Sequence, residues 1–388
     1  MKFNYQQPTE LIFGAKKVNH LPNIVKRYGN RVLLVGPVMN EAIQPMFNQV
    51  INNLDENGII TTCYLEIEPN PLTSAVDKGL RLAKENNVDV IVAMGGGSSI
   101  DTAKMISLCI DCEIIDWQEM FKKYDNFANR YEKISKTDLP VIAISTTAGT
   151  GSQCTQASVI TDDESKMKLT VFHQDNFVEV AILDPELTMT LPRSITVSTA
   201  FDAFTHAFES YLRNDGNPIT ENFSLQAIQN IVQNLPHVLI ENKIEYREKL
   251  MLADTYAGIA LANNGAALPH PLSEIIGSYV NKLSHGQALA MIYPTFVKHT
   301  YEKYQTKFAT VCRIFDESYC DKDDAEAAKD FYKVLNKFEK ENYLEFNLSQ
   351  FDLEQSTIDK IKNCEIWQHL PMEKTETILE IVNEICKL

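Results

Sequence analysis

Asp202 and His206 stand four residues apart in the run STAFDAFTHAFES, residues 198–210. On a helix that spacing puts both side chains on one face. Within this run and just past it, Phe201, Phe204, Ala207, Phe208 and Tyr211 recur at helical intervals, the pattern of a helix that buries an apolar stripe. A carboxylate and an imidazole among such residues make either a buried hydrogen-bonded pair or half of a metal site. Histidine is scarce, eight in 388 residues, and two more lie in the same half of the chain. His270 sits in NNGAALPHPLSEIIG and His285 in NKLSHGQALAMIYP, each beside turn residues. Three imidazoles and one carboxylate can close around a divalent ion and leave a position open for a substrate oxygen. His20, His237, His299 and His369 have no ligand-like neighbours, and His173, in TVFHQDN, reads as a surface residue.

A second chemistry is written in glycine. VIVAMGGGSSIDTAKMISL is an apolar strand, then Gly95-Gly96-Gly97, then a helix. Backbone amides left bare by glycine, next to a helix N-terminus, favour an anion. The GxGxxG spacing of the usual dinucleotide fingerprint is absent. STTAGTGSQ, residues 145–153, is a second loop of the same kind. Two such loops at successive strand ends point to one crevice at the carboxyl edge of a parallel sheet, with a dinucleotide pyrophosphate as its natural occupant.

These groups need a scaffold. RVLLVG, ITTCYLEI, VDVIVAMG, PVIAIS and VAIL read as strands, and the segments between them as amphipathic helices. Apolar strands alternating with helices imply a parallel sheet covered on both faces. After Pro192 helical periodicity takes over. The expected layout is therefore an α/β dinucleotide-binding domain over 1–191 and an all-α metal and substrate domain over 192–388.

Composition narrows the partners. The formal net charge is −16 with no basic stretch, which argues against nucleic acid. No run reaches the length of a membrane span, and the N-terminus lacks the apolar core of a signal peptide. Eight scattered cysteines fit a reduced, cytoplasmic protein. Cys109 and Cys112 form a CxxC, read here as two buried thiols.

Taken in order, these motifs resemble those of the iron-containing (group III) alcohol dehydrogenases, over nearly the whole chain. The carriers are FNYQQPTELIFG, PNP at 69–71, GGGSSIDTAK at 95–104, TTAGTGSQ at 146–153, ILDPELTMTLP, FDAFTHAFESY, LPHPLS and LSHGQALAMIYP. The resemblance implies a Rossmann-like, dehydroquinate-synthase-like α/β domain followed by a helical one. It implies one Fe2+ or Zn2+ on Asp202, His206, His270 and His285. It implies NADP or NAD held by Gly36, Pro37, Asn70, Gly96, Gly97, Ser98, Asp101, Thr146, Thr147, Thr150 and Lys168. It further implies hydride transfer between nicotinamide and a small alcohol or aldehyde, and a homodimer paired through the segment near Phe3–Phe13.

Three features depart from the family pattern. His270 and His285 are one residue further apart than expected. Gln153 replaces an acid. Glu274 stands four residues after His270, where many members carry a further histidine; it either relays protons and contacts substrate or is a solvated helix residue. Gly36 and Pro37 close the strand RVLLVGP without the acid that binds the ribose of NAD, which leans the reading toward NADP, although no cation is nearby to attract a 2′-phosphate. A lyase of the dehydroquinate synthase type, a glycerol-phosphate-dehydrogenase-like enzyme and a metal-free relative are the alternatives on the same architecture.

Overall fold

A computed structural model describes residues 2–213, 216–280, 283–370 and 373–387. The chain divides into two compact units, Met1–Leu191 and Pro192–Leu388.

The first unit carries strands β1 (Glu10–Phe13), β2 (Arg31–Pro37), β3 (Ile60–Ile67), β4 (Val90–Gly95), β5 (Val141–Ser145), β6 (Ala157–Thr161), β7 (Lys168–Phe172) and β8 (Val180–Leu183). Helices α1 (Leu21–Val25), α2 (Gln44–Glu56), α3 (Thr73–Glu85), α4 (Gly97–Leu108) and α5 (Trp117–Lys123) connect them. Six strands form one sheet in the order β1-β8-β5-β4-β2-β3, and every pairing in it is parallel. β6 and β7 make a separate antiparallel pair in which Lys168 faces Thr161.

Strand alternation sorts the core. Val32, Leu34, Val90, Val92, Ile142, Ile144 and Ile182 pack with Leu21 and Val25 of α1 and Phe47 and Val50 of α2. Leu33, Val35, Ile91, Ala93 and Ala143 point the other way, onto Val76 and Leu80 of α3 and Ile100 and Ile106 of α4. Strands covered on both faces have no polar side, hence their unbroken apolar runs.

From β2 the chain crosses one way to β3 and the other way to β4, so the direction of winding reverses between β2 and β4. Such a reversal opens a crevice at the carboxyl ends of the two strands. Those ends are Gly36–Pro37 and Gly95. The loop after β5 lies against the loop after β4: the Thr146 N–H donates to the Gly95 carbonyl at 3.0 Å. A Cβ on Gly96 would stand 3.1 Å from Thr147 Oγ1, and one on Gly97 2.7 Å from Thr150 Cγ2. Glycine is required at 97 because a threonine side chain fills its space.

Behind these loops Lys104 is fully buried. Its ammonium donates to the Ser152 carbonyl at 3.0 Å, to Ser152 Oγ at 2.9 Å and to the Ala157 carbonyl, and pairs with Asp101 Oδ1 at 3.1 Å. Asp101 also accepts from Ser152 Oγ and from the Val159 N–H at 3.0 Å. The Asp101 carboxylate thus ties α4 to the second loop and to β6.

Two expectations need correction. His173 is 1% exposed, not on the surface. Its Nδ1 accepts from the Asp175 N–H, its Nε2 donates to the Glu132 carbonyl, and its ring stacks on Tyr131 at 5.9 Å. Cys109 is buried as expected, but Cys112 is only half-buried.

The second unit is helical: α6 (Arg193–Leu212), α7 (Pro218–Glu241), α8 (Ile244–Asn264), α9 (Pro269–Tyr279), α10 (His285–Thr300), α11 (Gln305–Phe315), α12 (Asp324–Glu341), α13 (Gln355–Lys362) and α14 (Thr375–Ile385). α6 is enclosed on all sides; every residue from Ala200 to Leu212 is buried. Phe204 and Phe208 stack at 5.5 Å, and Tyr293, Phe308, Phe315 and Phe331 pack around them. This aromatic core takes one side of α6 and leaves Asp202, His206 and Glu209 on another. No helix among the described residues is long and apolar enough to cross a membrane.

The Lys104 cluster yields a stability prediction. Lys104→Met strands the Asp101 carboxylate and should cost about 3–5 kcal/mol, the usual penalty for breaking a buried pair. Arg27→Ala, which opens the exposed Arg27–Glu10 pair, should cost less than about 1 kcal/mol. Urea unfolding of both variants checks the difference.

Candidate metal centre

Asp202 and His206 come from the middle of α6, one turn apart. His270 is the second residue of α9, behind Pro269, whose ring fits the first helical turn. His285 is the first residue of α10. Its backbone is fixed by a capping box, in which Ser284 Oγ accepts from the Gln287 N–H and Gln287 Oε1 accepts from the Ser284 N–H. Gly286 lets α10 touch α6: a Cβ there would stand 2.3 Å from the Ser198 carbonyl oxygen.

Three imidazole Nε2 atoms converge on one oxygen. His206, His270 and His285 approach Asp202 Oδ1 at 3.8, 3.7 and 3.5 Å. The His206 and His270 rings stack at 4.5 Å, and those of His270 and His285 are 5.2 Å apart. Ligand atoms of Asp202, His206 and His270 all lie within 4.8 Å of one another. Bonds of 2.0–2.2 Å to a four-coordinate ion place donor atoms about 3.3–3.6 Å apart, close to this spacing. Asp202 Oδ1 and His270 Nε2 are buried with no hydrogen-bond partner in the protein. Buried polar atoms are normally satisfied, so two orphans aimed at one point mark the place of a cation.

The surrounding hydrogen bonds select the tautomers. His270 Nδ1 lies 2.6 Å from Glu209 Oε1, and this carboxylate accepts the hydrogen bond from its N–H. Glu209 is fully buried and also accepts from the Tyr293 hydroxyl at 2.8 Å and the Ala267 N–H at 2.7 Å. Ser273 Oγ donates to the His270 carbonyl at 2.8 Å, so at 3.2 Å from His285 Nδ1 it is the acceptor. Both imidazoles therefore carry their proton on Nδ1 and present the Nε2 lone pair inward, the orientation a metal requires.

The electrostatics agree. Burial opposes ionisation of Asp202, but the imidazoles outweigh it and hold the carboxyl at about 2. Burial also opposes a charge on His270, yet Glu209 and Asp202 together lift it to about 10. A site with two buried carboxylates demands positive charge, and without an ion it takes a proton instead.

Glu274 is half-buried on α9, one turn beyond His270. In the first unit, Gly36, Pro37, Gly96, Thr146, Thr147 and Thr150 lie at the carboxyl ends of β2, β4 and β5 or in the loops that follow them, and Gly97 and Ser98 are the first two residues of α4. Asn70 takes a left-handed conformation, φ 59°, in the turn after β3. Asp101 and Lys168 are placed differently, the first in the Lys104 cluster and the second on β7. Sequence reasoning missed Glu209 and Gly286. Glu209 follows Asp202 by seven residues, two helical turns on the same face, and that spacing was its signal.

Glu209→Gln should weaken divalent-ion binding about 10- to 100-fold, the usual loss when the group orienting a ligand histidine is changed. Competition against a chelator measures it. Gly286→Ala should cost about 1–3 kcal/mol through overpacking against Ser198, read by thermal unfolding, and should also lower ion affinity. Because His270 holds a proton up to about 10 without the ion, loading at pH 8 should expel about one proton per ion. Affinity should then rise with pH until that proton is gone; calorimetry in buffers of different ionisation enthalpy tests the sign.

Residues 8–185 match the family described as iron-containing alcohol dehydrogenase, and residues 196–384 match the C-terminal part of the Fe-containing alcohol dehydrogenase family. The chain is 30% identical over 359 residues to the NAD-dependent methanol dehydrogenase of Bacillus methanolicus, covering 90% of this chain and 91% of that protein. It is 30% identical over 366 residues to the probable NADH-dependent butanol dehydrogenase 1 of Bacillus subtilis (strain 168), covering 92% of each. Among solved structures, an archaeal halo-thermophilic alcohol dehydrogenase from a Red Sea brine pool superposes with a TM-score of 0.87 at 28% identity over 99% of both chains. With the parallel-sheet unit, the helical unit and the Asp202–His206–His270 cluster in place, the chain belongs to the iron-containing alcohol dehydrogenase family and is an NAD(P)-dependent alcohol dehydrogenase, an oxidoreductase acting on CH–OH donors.

Proposed function

We propose that the protein is an NAD(H)-linked, iron-dependent dehydrogenase that interconverts short primary alcohols and their aldehydes. The observation that carries this reading is the convergence of three Nε2 atoms on the orphaned Asp202 Oδ1. The relatives named for methanol and butanol support a small alcohol as its substrate. An N3O donor set of borderline hardness suits Fe2+ or Zn2+, and the family description favours iron.

When bound, the ion supplies Lewis-acid polarisation of the substrate oxygen and the nicotinamide supplies or accepts the hydride. The chain's own residues bind and orient. Asp202, His206, His270 and His285 hold the ion. Glu209 accepts from the His270 Nδ1–H and Ser273 Oγ from that of His285, so neither ring can turn. Gly96, Gly97 and Ser98 open α4 and offer backbone N–H groups to the pyrophosphate. Thr146, Thr147 and Thr150 line the adjoining loop, and Asn70 the turn after β3. Asp101 acts through Lys104 by fixing α4, and Lys168 belongs to the same unit at β7. Glu274, the only carboxylate on α9, serves to relay a proton or to contact a substrate hydroxyl.

NAD(H) is preferred over NADP(H) on charge, which reverses the lean taken from Gly36 and Pro37. Residues 32–77, which contain the ends of β2 and β3, hold no Lys or Arg but include Glu41, Glu66 and Glu68. The next cation, Lys78, is paired with Glu66. A 2′-phosphate would find no partner there. The chain acts as a homodimer in the cytoplasm: β1 is an edge strand of the six-stranded sheet, Phe3 and Tyr5 beside it are exposed, and the eight cysteines are free.

Protein purified without chelator should carry about one iron or zinc per chain and oxidise NADH with short aldehydes. Losing a charge-assisted contact of about 1.5–3 kcal/mol should leave NADPH about 10- to 100-fold poorer in kcat/KM. His206→Ala should abolish both metal retention and turnover while the fold survives. A His206→Ala enzyme with full activity would sink the assignment.

A further inference from the structure

The CxxC at the far end of α4 is not used by the reaction, and its geometry is that of a reactive pair. We propose that Cys109 and Cys112 form a redox-active dithiol, a modification site that closes to an intramolecular disulfide by exchange with a low-molecular-weight disulfide. The Cys112 N–H donates to the Cys109 carbonyl at 2.9 Å. A hydrogen-bonded turn of this span holds its end Cα atoms within about 7 Å, and disulfides span about 4.4–6.8 Å. The turn follows directly on the last residue of α4, so both cysteines are carried by one short closed segment.

The pair is asymmetric. Cys112 is half-buried and open to a reagent, whereas Cys109 is 0% exposed. Lys84 Nζ donates to the Cys112 carbonyl and brings a cation to that side of the turn. Asp111 lies between the cysteines, but its carboxylate is held by the Lys136 N–H at 2.7 Å, the Thr137 N–H at 2.9 Å and Thr137 Oγ1 at 2.8 Å. Ser135 Oγ donates to the Leu108 carbonyl at 2.7 Å and accepts from the Asp111 N–H, which clamps the turn from the other side. The neighbouring Cys109 thiol, opposed by burial and helped by Lys84, draws the Cys112 thiol down to about 7, and Cys112 in turn pushes Cys109 well up. Cys112 is thus the attacking thiolate and Cys109 the thiol held in reserve.

The exchange runs in two balanced steps. The Cys112 thiolate attacks one sulfur of the small disulfide, forming a mixed disulfide and releasing one small thiolate. Cys109 then loses its proton and attacks Cys112 Sγ, which forms the Cys109–Cys112 bond and releases the second small thiol. Two electrons pass from the protein to the reagent. The turn is already closed and lies about 17 Å along α4 from Gly97, so oxidation leaves the glycine loops where they are.

The test uses the reduced holoenzyme with glutathione disulfide, acid quenching and peptide mapping. Wild type should show a 109–112 disulfide and no lasting glutathione on Cys112. Cys109→Ser should trap glutathione on Cys112, and Cys112→Ser should leave Cys109 unmodified. Basal alcohol oxidation should be unchanged in both. The rate of Cys112 alkylation by iodoacetamide in wild type should reach half its maximum near pH 7. Glutathione lasting on Cys112 in wild type, modification of Cys109 in Cys112→Ser, or an alkylation midpoint near that of an ordinary thiol would overturn the proposal. The wild-type map decides even where Cys109→Ser does not fold.

Discussion

The second unit is organised around a carboxylate that ought not to be where it is. Asp202 sits in a helix enclosed by aromatic rings, ionised, with one oxygen facing no donor. An ion taken out of water costs several kcal/mol unless positive charge or good hydrogen bonds offset it. Three imidazoles surround that oxygen, but two of them, His270 and His285, have tautomers set by Glu209 and Ser273 that turn lone pairs toward it. Lone pair against lone pair is repulsive, and only a cation between them makes the arrangement favourable. Much of the unit follows from that need. α6 must be long enough to place Asp202, His206 and Glu209 over two turns. α9 and α10 must both begin at the site, and Gly286 must lack a side chain so that α10 can reach α6.

On the proposed reading, the first unit meets a different constraint, which is to bring bare backbone to the cofactor pyrophosphate without leaving the loops slack. Its answer is a buried pin. Lys104 satisfies carbonyls of the second loop and the Asp101 carboxylate at once, so α4 and the loop after β5 are held together from below. Thr147 and Thr150 then fill the space beside Gly96 and Gly97. Rigid loops lose little entropy on binding, which is what an affinity built from backbone N–H groups needs.

Much of this was legible in the sequence for definite reasons. A sheet buried on both faces writes continuous apolar strands, so the α/β half and the helical half could be told apart at Pro192. Asp202, His206, His270 and His285 stood out because histidine is rare here and because an acid in an aromatic helix needs a purpose. Glu209 lay in the same run and on the same helix face, but its role depends on the packing of α9 against α6, which brings His270 to it. His173 read as exposed because Gln174 and Asp175 follow it, yet Tyr131 and Tyr124 enclose its ring from distant parts of the chain. The pairing of Cys112 with Cys109 depends on a turn at the end of α4 and on Lys84 from another helix. Neither is a property of the four residues CIDC.

The central claim is that these four side chains share one ion. The most direct measurement is an anomalous difference map from a crystal of the protein loaded with Fe2+. One peak is expected, about 2.0–2.2 Å from Asp202 and from Nε2 of His206, His270 and His285. A peak with any other ligand set, or none at this cluster in iron-loaded protein, would contradict it.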